Sequence, residues 1–104
     1  MIIKKDNKSI KLKTCNSFFS RLKGFMFKKK IDYALCFPRC NSIHTLFMFK
    51  SIDVVMTDKN YKILYIYNNL KPIRLILPKK KVYYTFEFPT NYFNFKTNEK
   101  IDII

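Results

Sequence analysis

The run from Val82 to Phe88 alternates more regularly than any other stretch of the chain. Val82, Tyr84, Phe86 and Phe88 fall on one side, with Tyr83, Thr85 and Glu87 on the other. Successive side chains of a strand point to opposite faces, so a period of two predicts a strand here, ended by Pro89. Residues 9–14 behave in the same way, with Ile10 and Leu12 alternating with lysines as on a sheet that has one wet face. Residues 33–37 read as a strand closed by Pro38. A hairpin follows, in which residues 45–49 return through Lys50 and Ser51 into a strand at 52–57. Asp58, Lys59 and Asn60 suit a turn, after which residues 61–67 run back with Ile63 and Tyr65 on one face and Leu64 and Ile66 on the other. Asn68, Asn69 and Pro72 mark a loop. Short strands are expected at 73–77 and 100–104, separated by the turn chemistry of Pro78 and three lysines and by the run that ends at Pro89.

One segment changes period. Asn16 or Ser17 can cap a helix in which Phe18, Phe19 and Leu22 share a side at spacings of three and four, which predicts a helix near residues 17–23. Gly24, the one glycine of the chain, stands where such a helix would end in a left-handed residue. The spacing over 91–95 allows one further helical turn. The pattern therefore predicts a mainly β fold bordering on α+β. It is expected to be a compact antiparallel sandwich or partly open barrel with one short helix.

Composition adds that 104 residues, 48% of them hydrophobic and 17% aromatic, suffice for a single domain spanning 1–104 with a core of its own. Twenty-one cationic residues against seven acidic ones leave a formal charge of +14. Such a surplus points toward nucleic acid, an anionic surface or an acidic partner. All but Arg21, Arg39 and Arg74 of these cations are lysines, however, and the abundance of Lys, Ile, Asn, Phe and Tyr is what A/T-rich codons produce. Arginine, with its planar fork, is the usual reader of phosphate and guanine. Nucleic acid is therefore the second reading rather than the first. No apolar run is long enough to span a membrane, and the opening residues lack a signal-peptide core, so a cytoplasmic location is expected. Three cysteines cannot all pair with one another and are expected to be thiols.

Three groupings carry candidate chemistry. Cys36, Cys40 and His44 are evenly spaced, but Cys36 lies in a strand and no fourth ligand stands near, so no metal is expected. Cys40 and His44 as nucleophile and base, oriented by Asn41 or Asp53, define an enzymatic alternative, although nearness in sequence does not make a catalytic geometry. Asp53 sits in an apolar run, where an ionised carboxylate is costly unless paired. Arg21 is its natural partner, either as a structural ion pair or as part of a pocket with His44. Tyr65, Tyr67, Tyr83, Tyr84 and Tyr92 among lysine turns would be the stacking platform of the nucleic-acid reading.

Two stretches carry a family likeness: residues 20–26, an arginine followed by Gly24, Phe25 and Met26, and residues 41–48 continuing into 52–58. With Asn69 to Pro72 and the aromatic-Glu-apolar-Pro ending around Glu87, the chain resembles the prokaryotic domain-of-unknown-function family number 192 over most of its length. The resemblance implies a compact, mainly β domain with no recognised cofactor and no assigned reaction. Relatives usually have glycine where this chain has Asn60 and Asn94 or Asn98. The expected function is that of a non-enzymatic binding or accessory module with no catalytic residues and no cofactor. Its partner would be a small polar or anionic ligand or a protein. The site is expected where the 39–45 loop meets the helix end, with Arg21, Asn41, His44 and Asp53 as ligand-binding residues.

Overall fold

The computed structural model describes residues 1–17, 24–25, 29–46 and 48–104. The described part is all strand, in agreement with the mainly β expectation. β1 (Ile2–Lys5), β2 (Lys8–Thr14), β3 (Ala34–Pro38), β5 (Ile52–Thr57), β6 (Ile63–Leu70) and β8 (Tyr84–Pro89) form a six-stranded sheet in the order β1-β2-β3-β8-β5-β6. β4 (Ile43–His44) and β7 (Leu75–Ile76) form a separate two-stranded arm.

Turn chemistry explains the hairpins. Asp6 and Asn7, both left-handed, join β1 to β2 through two residues, the twist that matches flanking strands. Between β5 and β6, Asp58 Oδ1 accepts the Asn60 and Lys62 amides at 2.9 and 3.0 Å. With one glycine available, left-handed backbone falls on nine other described residues, four of them asparagines. At the two turns where relatives were expected to differ by a glycine, the positive φ values belong to Tyr61 and Asn98.

The sheet carries a core on each face. Ala34, Cys36, Val55, Phe86 and Phe88 face one, closed by Ile3, Ile10, Leu12, Ile63, Phe95 and Ile101. Leu35, Phe37, Ile52, Val54 and Met56 face the other, beneath Cys15, Phe25, Met48 and Ile76. β3 and β5 are consequently buried along their whole length. Residues 98–104 reach both edges of the sheet: Asn98 N–H donates to Ile63 O at 2.8 Å, and Ile104 N–H to Ile2 O at 2.8 Å. These contacts touch each edge over a few residues, so the sheet stops short of a closed barrel.

Several expectations are corrected. β2 and β3 pair in parallel, not antiparallel, and the intervening residues 15–33 have the length that a parallel crossover requires. The helix near 17–23 falls almost entirely outside the described residues. No strand forms at residues 45, 46, 48 and 49, the described part of the expected strand at 45–49: the strand is Ile43–His44, and the chain turns at Thr45, whose carbonyl accepts from both Met48 N–H and Ile73 N–H. Residues 91–95 are not helical. Asn91 is left-handed, and beyond it Phe93 and Phe95 turn inward against Phe88 while Asn94 stays exposed. The last residues make isolated bridges, Lys62 to Lys100 and Ile3 to Ile103, in place of a continuous strand.

Candidate functional site

β8 sets the geometry. Its alternation turns Phe86 and Phe88 into the first core, so Thr85 and Glu87 point into the second. Thr85 is 0% and Glu87 3% exposed. Two segments arrive over this face. The Thr85 hydroxyl donates to Cys40 O at 2.8 Å, and Cys40 N–H donates to Tyr83 O at 3.0 Å, which ties the 39–45 loop to β8. Two residues along, Glu87 meets Gly24: a Cβ at that glycine would stand 3.4 Å from Glu87 Oε1 and 3.4 Å from Phe37 Cζ. The 39–45 loop and the Gly24 turn, expected to meet each other, thus each contact β8 two residues apart.

Two buried polar atoms, one on β8 and one on β4, have no hydrogen-bond partner among the described residues. Glu87 Oε1 and His44 Nδ1 are buried and receive no hydrogen bond from any described residue. Burial pushes the Glu87 carboxyl up to about 8, because the charged form loses its hydration. His44 sits on β4 opposite Leu75 and is half-buried. Asn41 is exposed, with its carbonyl accepting Lys79 N–H at 3.0 Å.

Asp53 lies elsewhere. It projects to the first core beside Phe88 and Val55, where its Oδ1 accepts Asn69 N–H at 2.8 Å and its Oδ2 accepts Asn91 N–H at 3.0 Å. Arg21, its expected partner, lies outside the described residues. Asn41 therefore lies beside the Cys40 tie to β8 and His44 on the β4 arm, whereas Asp53 fixes two turns on the opposite face.

The cysteines are not arranged as a reactive cluster. Burial, then the neighbouring Cys15 and Cys40, push the Cys36 thiol up to about 12, away from the thiolate that metal binding or nucleophilic attack needs. Cys40 Sγ donates to Ser42 O at 3.1 Å. Among the described residues no three His, Cys, Asp or Glu side chains are grouped to hold a metal ion. The tyrosine rings are mostly half-buried and already engaged. Tyr61 stacks on Tyr84 at 4.7 Å, and lysine ammonium groups cover Tyr83, Tyr65 and Tyr92 at 5.4, 5.7 and 5.4 Å.

The chain matches the profile of the DUF192 family, described as Uncharacterized ACR, COG1430, over residues 1–103. It belongs to that family. Among DUF192 relatives, a UPF0127 protein of Pyrococcus horikoshii is 40% identical over 84 residues, covering 75% of this chain and 71% of the relative. One from Thermococcus sibiricus is 33% identical over 101 residues, covering 88% of this chain and 65% of the relative. The chain thus spans about two thirds of that second protein's length. Two solved structures share the fold. A protein of unknown function from Novosphingobium aromaticivorans superposes with a TM-score of 0.82 at 11% identity, covering 98% of this chain and 82% of that one. A putative transcription regulator from Sinorhizobium meliloti gives 0.79 at 13%, covering 91% and 82%.

Sequence reasoning missed Glu87 as a site residue. Its one signal was an acid inside an aromatic strand, in a chain with seven acidic residues in all. Gly24, by contrast, was singled out correctly, and its φ of +47° makes it testable. Gly24→Ala should cost about 1–2 kcal/mol, from the left-handed backbone and the close approach to Phe37 and Glu87. Urea denaturation measures this, and a loss below about 0.5 kcal/mol would mean that glycine is not required there.

Proposed function

We propose that this DUF192 chain is a non-enzymatic binding module that takes a small polar ligand where the 39–45 loop and Gly24 converge on β8. The observation that carries the reading is Glu87 Oε1, a buried carboxyl oxygen with no described hydrogen-bond donor. Leaving such an atom unpaired costs about 1–3 kcal/mol, and a ligand offering a donor removes that cost on binding. His44 Nδ1, also buried and unpartnered, is the second anchor. Asn41 lies on the same loop, and Arg21 precedes Gly24 by three residues in sequence. Asp53 serves the scaffold. A raised Cys36 thiol and a Cys40 thiol turned to Ser42 O argue for binding over cysteine catalysis. The thiols of Cys36 and Cys40 suit a reducing compartment, the cytoplasm.

The test is a thermal-shift screen of carboxylates and phosphates, nucleotides, sugars and short oligonucleotides against wild type, Glu87→Leu and His44→Ala. A small polar compound is expected to raise Tm by several degrees in wild type, since it binds only the folded state. Its apparent affinity should fall at least about tenfold in each variant, the worth of one good hydrogen bond. Silence from every class, or a shift unchanged by both substitutions, overturns the reading. Stabilisation by oligonucleotides alone would transfer the function to nucleic acid.

A further inference from the structure

The β4–β7 arm and its flanks carry most of the exposed large apolar side chains among the described residues, the others being Met1, Ile2, Tyr65 and Ile104. On β7, Ile76 turns inward at 5% exposure, which sends Leu75 and Leu77 outward at 67% and 65%. Ile73 is 71% exposed, Phe49 54% and Leu46 43%. The two halves of this apolar set are held together through Thr45. Its hydroxyl donates to Lys71 O and accepts Arg74 N–H, both at 2.8 Å, while its carbonyl accepts Ile73 N–H at 3.0 Å. Ile73 is held at a φ of +60°, a conformation that a β-branched side chain strongly disfavours. The bond of its amide to Thr45 accounts for its backbone, whereas the side chain, the most exposed apolar one of the arm, is left in solvent. The surrounding surface is cationic: Lys50, Lys71, Arg74, Lys80 and Lys81 are exposed beside these residues in sequence.

We propose that this arm docks the protein peripherally onto an anionic lipid surface. Leu75, Leu77, Ile73 and Phe49 would enter the headgroup boundary, and the flanking lysines and Arg74 would neutralise lipid phosphates and carboxylates. Charge complementarity selects this occupant. A second copy would bring the same apolar tip, the same cationic rim and a further +14 of charge, so self-association through this face is opposed by repulsion. Anionic membrane surfaces attract clustered lysines, and apolar side chains at the interface add hydrophobic binding that charge alone lacks. No helix among the described residues is long and apolar enough to cross a membrane, and peripheral docking needs none.

The experiment is co-sedimentation of the full chain with phosphatidylcholine vesicles, with and without about one phosphatidylserine in three lipids. The variants are Leu75→Ser with Leu77→Ser, and Lys79→Glu with Lys80→Glu and Lys81→Glu. Both change exposed or half-exposed positions, and a thermal melt checks that they remain folded. Wild type is expected to bind the anionic vesicles at least about tenfold more tightly than the neutral ones, and to be released by high salt. The leucine pair and the lysine triple should each weaken anionic binding by about tenfold or more. The proposal fails if wild type stays in the supernatant, or if the leucine pair binds as wild type does, since binding would then be diffuse attraction to a basic protein. It also fails if sedimentation shows a wild-type dimer that the leucine substitutions dissociate, because a second copy would then cover the arm.

Discussion

Asp53→Ala is expected to destabilise the protein by roughly 2–4 kcal/mol, from the loss of two charge-assisted hydrogen bonds. Asp53 is 4% exposed, and each carboxylate oxygen takes one backbone amide: Asn69 at the end of β6 and Asn91 just beyond β8. Both asparagines have positive φ, so their amides point out of the strand ladder and have this carboxylate as acceptor. Alanine removes both bonds and leaves a gap beside Phe88 and Val55. Asp53→Asn keeps one acceptor oxygen and should cost about half as much. Urea denaturation at neutral pH measures the losses, and hydrogen exchange should show the amides of 69 and 91 exchanging faster in the alanine variant. A loss below about 1 kcal/mol would mean that the two turns hold themselves without the carboxylate.

The second large effect concerns pH. Glu87 rises from an ordinary value of 4.5 to about 8 in the folded protein, because burial penalises its charged form. Between those values the folded chain keeps a proton that the unfolded chain releases. Stability must then fall as pH rises from about 4.5 to about 8, by up to about 1.4 kcal/mol per pH unit, and level off above. The full contribution is present below 4.5 and lost on passing 8. Glu87→Gln places a neutral isostere at the same point, so its stability should be flat across that window and should exceed wild type by a few kcal/mol at pH 8. Denaturation midpoints of both proteins at half-unit pH steps give the answer. A wild-type stability that rises from pH 5 to 8, with Glu87→Gln the weaker protein throughout, would mean that Glu87 is ionised and paired.

The strands were legible where their alternation was strong, as in β8 and residues 9–14 of β2. The faces were not. The alternation in β8 did not say what covers each side: Thr85 and Glu87 lie under a second core, because segments distant in sequence cover that side too. β1 had no alternation to notice, since Ile2 and Ile3 precede Lys4 and Lys5. It is a strand because Ser9 and Ile10 on one side and residues 102–104 on the other supply its partners. Of the expected site residues, the burial of Asp53 followed from its apolar flanks, but its partners are backbone amides, which leave no mark on residue identity. Gly24 was legible because a scarce glycine marks a backbone requirement.

The bonds from residues 98–104 to both edges of the sheet bear on when this chain can fold. Ile2 pairs with Ile104, and β3 is completed by β8, some fifty residues later. Three of the sheet's five strand pairings join segments distant in sequence, and such topologies fold slowly because those segments must meet before their contacts are rewarded. During synthesis, β1 and β2 emerge as a lone hairpin, marginal in water, while the strand that flanks β3 is still to be made. The sheet's two edges gain their last partners only once residues 98–104 have left the ribosome, so until then the nascent strand edges stay open to other chains.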